Sequence, residues 1–322
     1  MAEEENLQLK KDTKIAFNEP PSGVEDEKRE EVPRRFPLPE GDELIGQSNL
    51  FHVVKPKETL MELAREYGLG FNEISLANPT INPWIPKPGT VINASLVRIL
   101  PGLNRPADII VNIPEMRLYY RQSNGWVETY PVGVGRVGYS TPEGGATLVR
   151  KRASPSWYVP QSIKEEKPEL PDVVPPGPEN PLGTHALYLS MAGYLLHGTN
   201  EPLGIGRRVS HGCIRLYPKD IITFFESAKI GSQVRLVHEP VKAGWRGREL
   251  FIEVHPPFEE EVAQKESQEK LRHLATVAVG QALDRRPDWV VEMDWSEVDR
   301  HVGRPDGMAH PVGQVLLSDE RE

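Results

Sequence analysis

"VSHGCIRLYPKDI", Val209 to Ile221, holds Cys213, the one cysteine in a chain of 322 residues. Ser210, His211 and Gly212 precede it, and Ile214 and Arg215 follow. Upstream, the apolar run "YLL" ends in His197 and Gly198. Two imidazoles, a thiol, a hydroxyl and a guanidinium are thus concentrated in residues 197–215. A thiol with a pKa of about 8.5 is mostly protonated at neutral pH, and only the thiolate attacks a carbonyl. A neighbouring imidazole can take the proton and stabilise the anion. Gly212 permits a sharp turn and close approach of a substrate. The N–H groups around Gly212 and Cys213 can serve as an oxyanion hole, and Arg215 suits a carboxylate.

Other readings of these residues stay open. A zinc site on Cys213, His197 and His211 wants a fourth ligand, and no common spacing supplies one. An inert buried thiol explains Cys213 but not the polar residues and glycines around it. His197 alone reads equally as a satisfied core histidine. The residues by themselves lead to a cysteine nucleophile with a histidine partner and no further.

Working outward, residues 106–238 are expected to be mainly β. "ADIIVNIPEMRLYYRQ" and "GWVETYPVGVG" are rich in β-branched and aromatic residues and flank a turn at Ser123-Asn124-Gly125. Many short strands between Gly and Pro turns point to an antiparallel sandwich or barrel, taken here as sandwich-like. "QSIKEEKPELPDVVPPGPENPLG", residues 161–183, interrupts them with charge and proline. It is expected to be a structureless insertion serving as a flap over the cysteine.

Residues 1–46 carry 13 acidic and 7 basic residues with repeated prolines, and are expected to form a flexible arm. Residues 50–98 form a small module. Leu60, Leu63, Ala64 and Tyr67 mark one helical face with Thr59 as N-cap, and "FNEISLANP" reads as a second helix between two strands. Residues 239–322 are an extension with a strand unit, "GWRGRELFIEVHPPF", and a helix carrying Leu271, Leu274, Val277 and Ala278 on one face. The fold class is therefore mainly β with minor α. The net charge of −9 argues against nucleic acid as a general partner. No apolar run approaches the roughly 20 residues that span a bilayer. "MAEEENLQLKKDTK" has neither the basic start nor the apolar stretch of a signal peptide.

"HGTN" followed by "SHGCIRL" resembles the signature of the L,D-transpeptidase catalytic domain, with "YPVGVGR", "TPEG", "PSWYVP" and "PENPLGTHALYL" in support across residues 106–238. The resemblance implies a β-rich domain performing ping-pong acyl transfer on peptidoglycan stem peptides. It implies Cys213 as nucleophile and His197 as general base, then acid. It also implies His211 as a third catalytic residue, polarising the site, holding the cysteine loop or hydrogen-bonding structurally, and Gly198, Ser210, Gly212 and Arg215 as substrate-binding or oxyanion groups, with Trp157 and Tyr158 lining the donor cleft or packing on a sheet. No metal or organic cofactor is implied. The acceptor would be an amine of another stem, giving a 3→3 cross-link, or a lysine of an envelope lipoprotein; water would make a carboxypeptidase. Residues 50–98 resemble the lysin motif (LysM), a binder of glycan strands, although the usual Gly-Asp before the threonine is Lys57-Glu58 here. The substrate places the enzyme in a periplasm or cell envelope. A non-catalytic peptidoglycan-binding scaffold is the competing function.

Overall fold

The computed structural model describes residues 32–46, 49–258 and 264–316. The arm expected over residues 1–46 lies outside the described residues as far as Glu31, but its last part is built into the fold. Strand Arg35–Pro37 pairs with Trp126–Glu128, and Leu44–Ile45 pairs with Arg98–Ile99. Phe36, Leu44 and Ile45 are buried, which gives this part of the chain its hold on the fold.

Residues 49–95 form a strand, two helices and a strand: Asn49–Val53, Leu60–Tyr67, Phe71–Leu76 and Val91–Ser95, the two strands antiparallel. Thr59 caps the first helix, its Oγ1 accepting from Glu62 N at 3.2 Å while Glu62 accepts from Thr59 N at 3.0 Å. Gly68 ends it in the left-handed region at φ +67°. Leu60, Leu63, Ala64, Ile74, Ile92 and Ala94 form the small core. Buried charge attaches this module to the next domain. Glu73 accepts from Arg98 and Arg117, each at 2.7 Å, and Arg117 also donates to Gly68 O at 2.9 Å. Burial pushes the Glu73 carboxyl up, but the charges of Arg117 and Arg98 win and hold it at about 2.

The central domain is one ten-stranded sheet. Its hydrogen-bonded path runs from Trp126–Gly135 through Ile214–Leu216, Leu195–His197, His185–Leu189, Gly144–Ala153, Gln233–Val237, Ile109–Asn112 and Arg117–Arg121, and then back to Trp126–Gly135. The sandwich expected from the sequence is therefore replaced by a barrel-like closed sheet. Alternation of apolar residues shows that each strand has a buried face. It does not show whether that face meets a second sheet or the far wall of the same one. Closure depends on two parallel pairings between distant segments, Leu196 opposite Ile214 and Val234 opposite Ile109. Leu118, Tyr130, Val132, Leu148, Leu187, Leu196, Ile214 and Leu216 share one core, joined by Ile221 and Phe224 of helix Pro218–Ser227.

The insertion is not structureless. Trp157–Tyr158 pairs with Val173–Val174, helix Gln161–Glu166 lies between them, and Asn180 anchors the return. The buried Asn180 amide donates to the carbonyls of Pro155, Val174 and Pro175 at 2.9, 3.2 and 3.0 Å, bonds invisible to a composition count.

In the extension, Val241–Arg246, Glu249–Val254, Ala309–Val315 and Val291–Met293 make a four-stranded sheet. Helices Gln264–Asp284 and Trp295–Gly303 pack on it. The longer helix buries Leu271, Ala275, Val279 and Ala282, with Leu274 and Ala278 of the expected face packed against them; of the expected residues Val277 departs and is exposed. The small alanines decide this, because they allow close approach beneath Trp245, whose Nε1 donates to Ala282 O at 2.8 Å. Among the described residues no helix is long and apolar enough to cross a membrane.

Candidate active site

Strand Leu195–His197 lies parallel to Ile214–Leu216, with Leu196 opposite Ile214 and His197 opposite Arg215. Successive side chains alternate between the two faces of a sheet. Leu196, Ile214 and Leu216 point into the core, so His197 and Arg215 lie on the other face. Cys213 immediately precedes the second strand, and the Arg215 charge acts on both its thiol and the His197 ring. Its thiol is partly exposed and donates to Gly193 O at 3.4 Å.

The His197 ring is buried, with Nδ1 2.6 Å from Gly198 O. A carbonyl only accepts, so Nδ1 carries the proton and Nε2 is the basic nitrogen of the neutral ring. Burial, then the Arg215 charge, pushes His197 down to about 4 against the Gly198 and Leu182 carbonyls. Burial also pushes the Cys213 thiol up, against a Leu195 N–H and the Arg215 charge. The resting pair is therefore a neutral thiol and a neutral imidazole.

The loop before the thiol is held from inside. Buried Ser210 donates to Cys213 O at 2.6 Å and accepts from Gly212 N at 3.1 Å. Thr141 Oγ1 donates to Gly212 O at 2.9 Å. Gly212 sits at φ +99°, and a Cβ there would lie 2.9 Å from Tyr194 Cε1, so both conformation and space require glycine. Gly198 is similarly confined, a Cβ meeting Ile221 Cγ2 at 3.1 Å and Leu182 O at 3.3 Å. Arg215 Nη1 bonds Glu201 at 3.2 Å, while its buried Nε has no protein partner.

His211 belongs to a different cluster. Its Nε2 lies 2.9 Å from Arg136 and 3.2 Å from Glu166, and it can accept from the guanidinium or donate to the carboxylate, not both at once. Glu166 also accepts from Arg136 at 2.7 Å and from the Tyr139 hydroxyl. The Tyr139 ring meets His211 edge-on at 4.7 Å. Glu166 ends the short helix of the insertion, so this cluster ties the insertion to the loop that carries Cys213. Trp157 is half-buried on the insertion's ribbon, and Tyr158 beside it is exposed.

A model of the L,D-transpeptidase catalytic domain matches residues 106–236. The Escherichia coli (strain K12) protein named "Probable L,D-transpeptidase YbiS" is 39% identical over 262 residues, covering 79% of this chain and 85% of that one. The chain belongs to the L,D-transpeptidase family. "Probable L,D-transpeptidase YcfS" of the same organism is 41% identical over 70% of this chain and 74% of its own. Among solved structures, the L,D-transpeptidase from Mycobacterium smegmatis covers 41% of this chain and 59% of its own at 19% identity and a TM-score of 0.34.

In this L,D-transpeptidase, His197 and Arg215 share one face, Cys213 directly precedes their sheet pairing, Ser210 and Gly212 build the loop, and His211 stands with the insertion. Arg136, Tyr139, Glu166, Thr141, Tyr194 and Glu201 were not foreseen. Arg136 and Thr141 sit in or beside segments already noted, "YPVGVGR" and "TPEG". Nothing in the spacing of Glu166 pairs it with a histidine 45 residues away.

Proposed function

We propose that the protein transfers the acyl group of a peptidoglycan tetrapeptide stem through a thioester on Cys213. The observation that carries this reading is that Arg215, opposite His197 across the parallel strand pair, acts by its charge on both the His197 ring and the Cys213 thiol. With Nδ1 committed to Gly198 O, Nε2 is the nitrogen available to take the thiol proton. The sulfur attacks the carbonyl carbon between the third residue, a diamino acid, and D-Ala. The oxygen charge that develops is met by backbone N–H groups at the Cys213 turn. The C–N bond then breaks, His197 returns the proton to the leaving amine, and D-Ala departs. An acceptor amine attacks the thioester, His197 takes the proton that the amine loses and passes it to the departing sulfur, and the new amide forms. Because both partners rest neutral, proton transfer accompanies attack. Arg215, whose Nε lacks a protein partner, is suited to a substrate carboxylate.

The acceptor we propose is an amine, either on a neighbouring stem or on an envelope lipoprotein, and the site of action is the cell envelope. Glu166 holds the insertion against the Cys213 loop, which supports a role for residues 160–183 in keeping water from the thioester. Residues 49–95 act as a LysM-type glycan anchor that raises the local concentration of stems. Half-exposed Trp84, stacked on Phe71 at 6.1 Å, offers an apolar face to a sugar ring.

Mass spectrometry of the protein incubated with a disaccharide-tetrapeptide tests this. D-Ala loss and dimer are expected, and both should vanish in Cys213→Ala and His197→Ala. Tripeptide alone would make the enzyme a carboxypeptidase. An active Cys213→Ala protein would remove the nucleophile assignment, and no turnover at all would leave a scaffold.

A further inference from the structure

Two groups of side chains among the described residues bring three metal-ligand atoms within 4.8 Å of one another. The buried group, Glu115, Glu253 and His255, already holds a cation of its own. Lys242 Nζ lies 2.8 Å from Glu115 and 2.8 Å from Glu253, where an ion would sit. The other group, His301, Asp306 and His310 in the C-terminal extension, differs. Its residues are half-buried, and among the described residues no lysine or arginine bonds Asp306 or either imidazole.

We propose that His301, Asp306 and His310, with Glu297 beside them, form a site for a borderline divalent transition cation such as Zn2+. Helix Trp295–Gly303 presents Glu297 and His301 four residues apart, on one face, with His301 Nε2 3.5 Å from Glu297 Oε2. Asp306 and His310 are also four residues apart, spanning the turn into strand Ala309–Val315, and His310 Nε2 lies 2.8 Å from Asp306 Oδ2. Ligands about 2.0–2.1 Å from a tetrahedral zinc stand about 3.4 Å apart, close to these separations. Two imidazoles and the Asp306 carboxylate, joined by Glu297 through the oxygen not held by Arg300 Nη1 at 2.8 Å, form a nitrogen–oxygen donor set without sulfur that suits Zn2+, Co2+ or Ni2+ over softer ions. The His301 and His310 rings are stacked at 3.6 Å and 10°. An ion in the plane of one ring is out of the plane of the other, so binding must turn one ring and break the stack. The site would staple the last helix to the last strand, in a core separate from the barrel.

The test uses the full chain stripped with EDTA and titrated with ZnCl2 by calorimetry, with bound metal counted by mass spectrometry. One Zn2+ per chain and a raised melting temperature are expected. Losing even an outer-shell partner weakens metal binding by about 10–100-fold, so His310→Gln and Asp306→Asn should each weaken it by at least that. His273→Gln, an exposed histidine on the preceding helix, should bind as the parent does. Co2+ visible absorption and the imidazole proton signals provide readouts independent of stability. A parent that binds no Zn2+, or variants that bind it equally, would overturn the proposal. Transpeptidation with unchanged kcat in EDTA is expected, so failure of the site and failure of the acyl-transfer reading remain distinguishable.

Discussion

Acidification alone should destabilise this protein through one ring. His197 titrates at about 4 in the folded state and at about 6.5 when unfolded. Its folded-state value is depressed, so the unfolded chain binds the extra proton over the window between the two. Stability therefore rises with pH there and levels off above the unfolded value. One pKa unit corresponds to about 1.36 kcal/mol, so the contribution lost on full protonation is about 3 kcal/mol, and about 2 kcal/mol is already lost at pH 5 relative to pH 8. The cause is desolvation of a ring that is only 4% exposed, reinforced by the Arg215 charge. Urea melts of the parent and of His197→Asn, at pH 8 and pH 5, isolate this contribution. Asparagine keeps a donor for Gly198 O but does not titrate. The parent should lose about 2 kcal/mol more than the variant between the two pH values. Equal losses would refute a buried neutral histidine at this position, and with it the neutral resting pair.

Removing the guanidinium in Arg215→Gln takes away a charge that lowers both His197 and Cys213; the acidic limb of the kcat/KM profile should move upward, and an unmoved limb would separate Arg215 from the reacting pair. Ser210→Ala unties Cys213 O and Gly212 N; kcat should fall by roughly 100-fold with KM little changed, as measured by D-Ala release. Glu73→Gln leaves Arg98 and Arg117 buried without their shared carboxylate; chemical denaturation should show a loss of about 3–5 kcal/mol.

Much of the candidate site was legible because it is local in sequence. Ser210, Gly212 and Cys213 are consecutive enough that hydroxyl, turn and thiol must meet, and "LLHG" announces a strand ending in an imidazole. The helix at Leu60–Tyr67 was equally legible from its threonine cap and 3.6-residue periodicity. The insertion was misjudged because Asn180 and Glu166 order it through partners elsewhere in the chain. The face of the long C-terminal helix was legible at Leu271, Leu274 and Ala278 but not at Ala275 and Ala282, because alanines carry little hydrophobic signal yet permit the closest packing.

What the sequence determined alone is the reactive inventory, one thiol with two histidines nearby, and the β character of the chain around it. Tertiary structure decided where the two histidines stand. The parallel pairing of Leu195–His197 with Ile214–Leu216 sets His197 beside Arg215, and His211 stands with Arg136 and Glu166. Side-chain alternation has a period of two, so a one-residue slip in that pairing would send His197 into the core. Register between strands distant in the chain is a property of the closed sheet, and short-range pattern does not contain it.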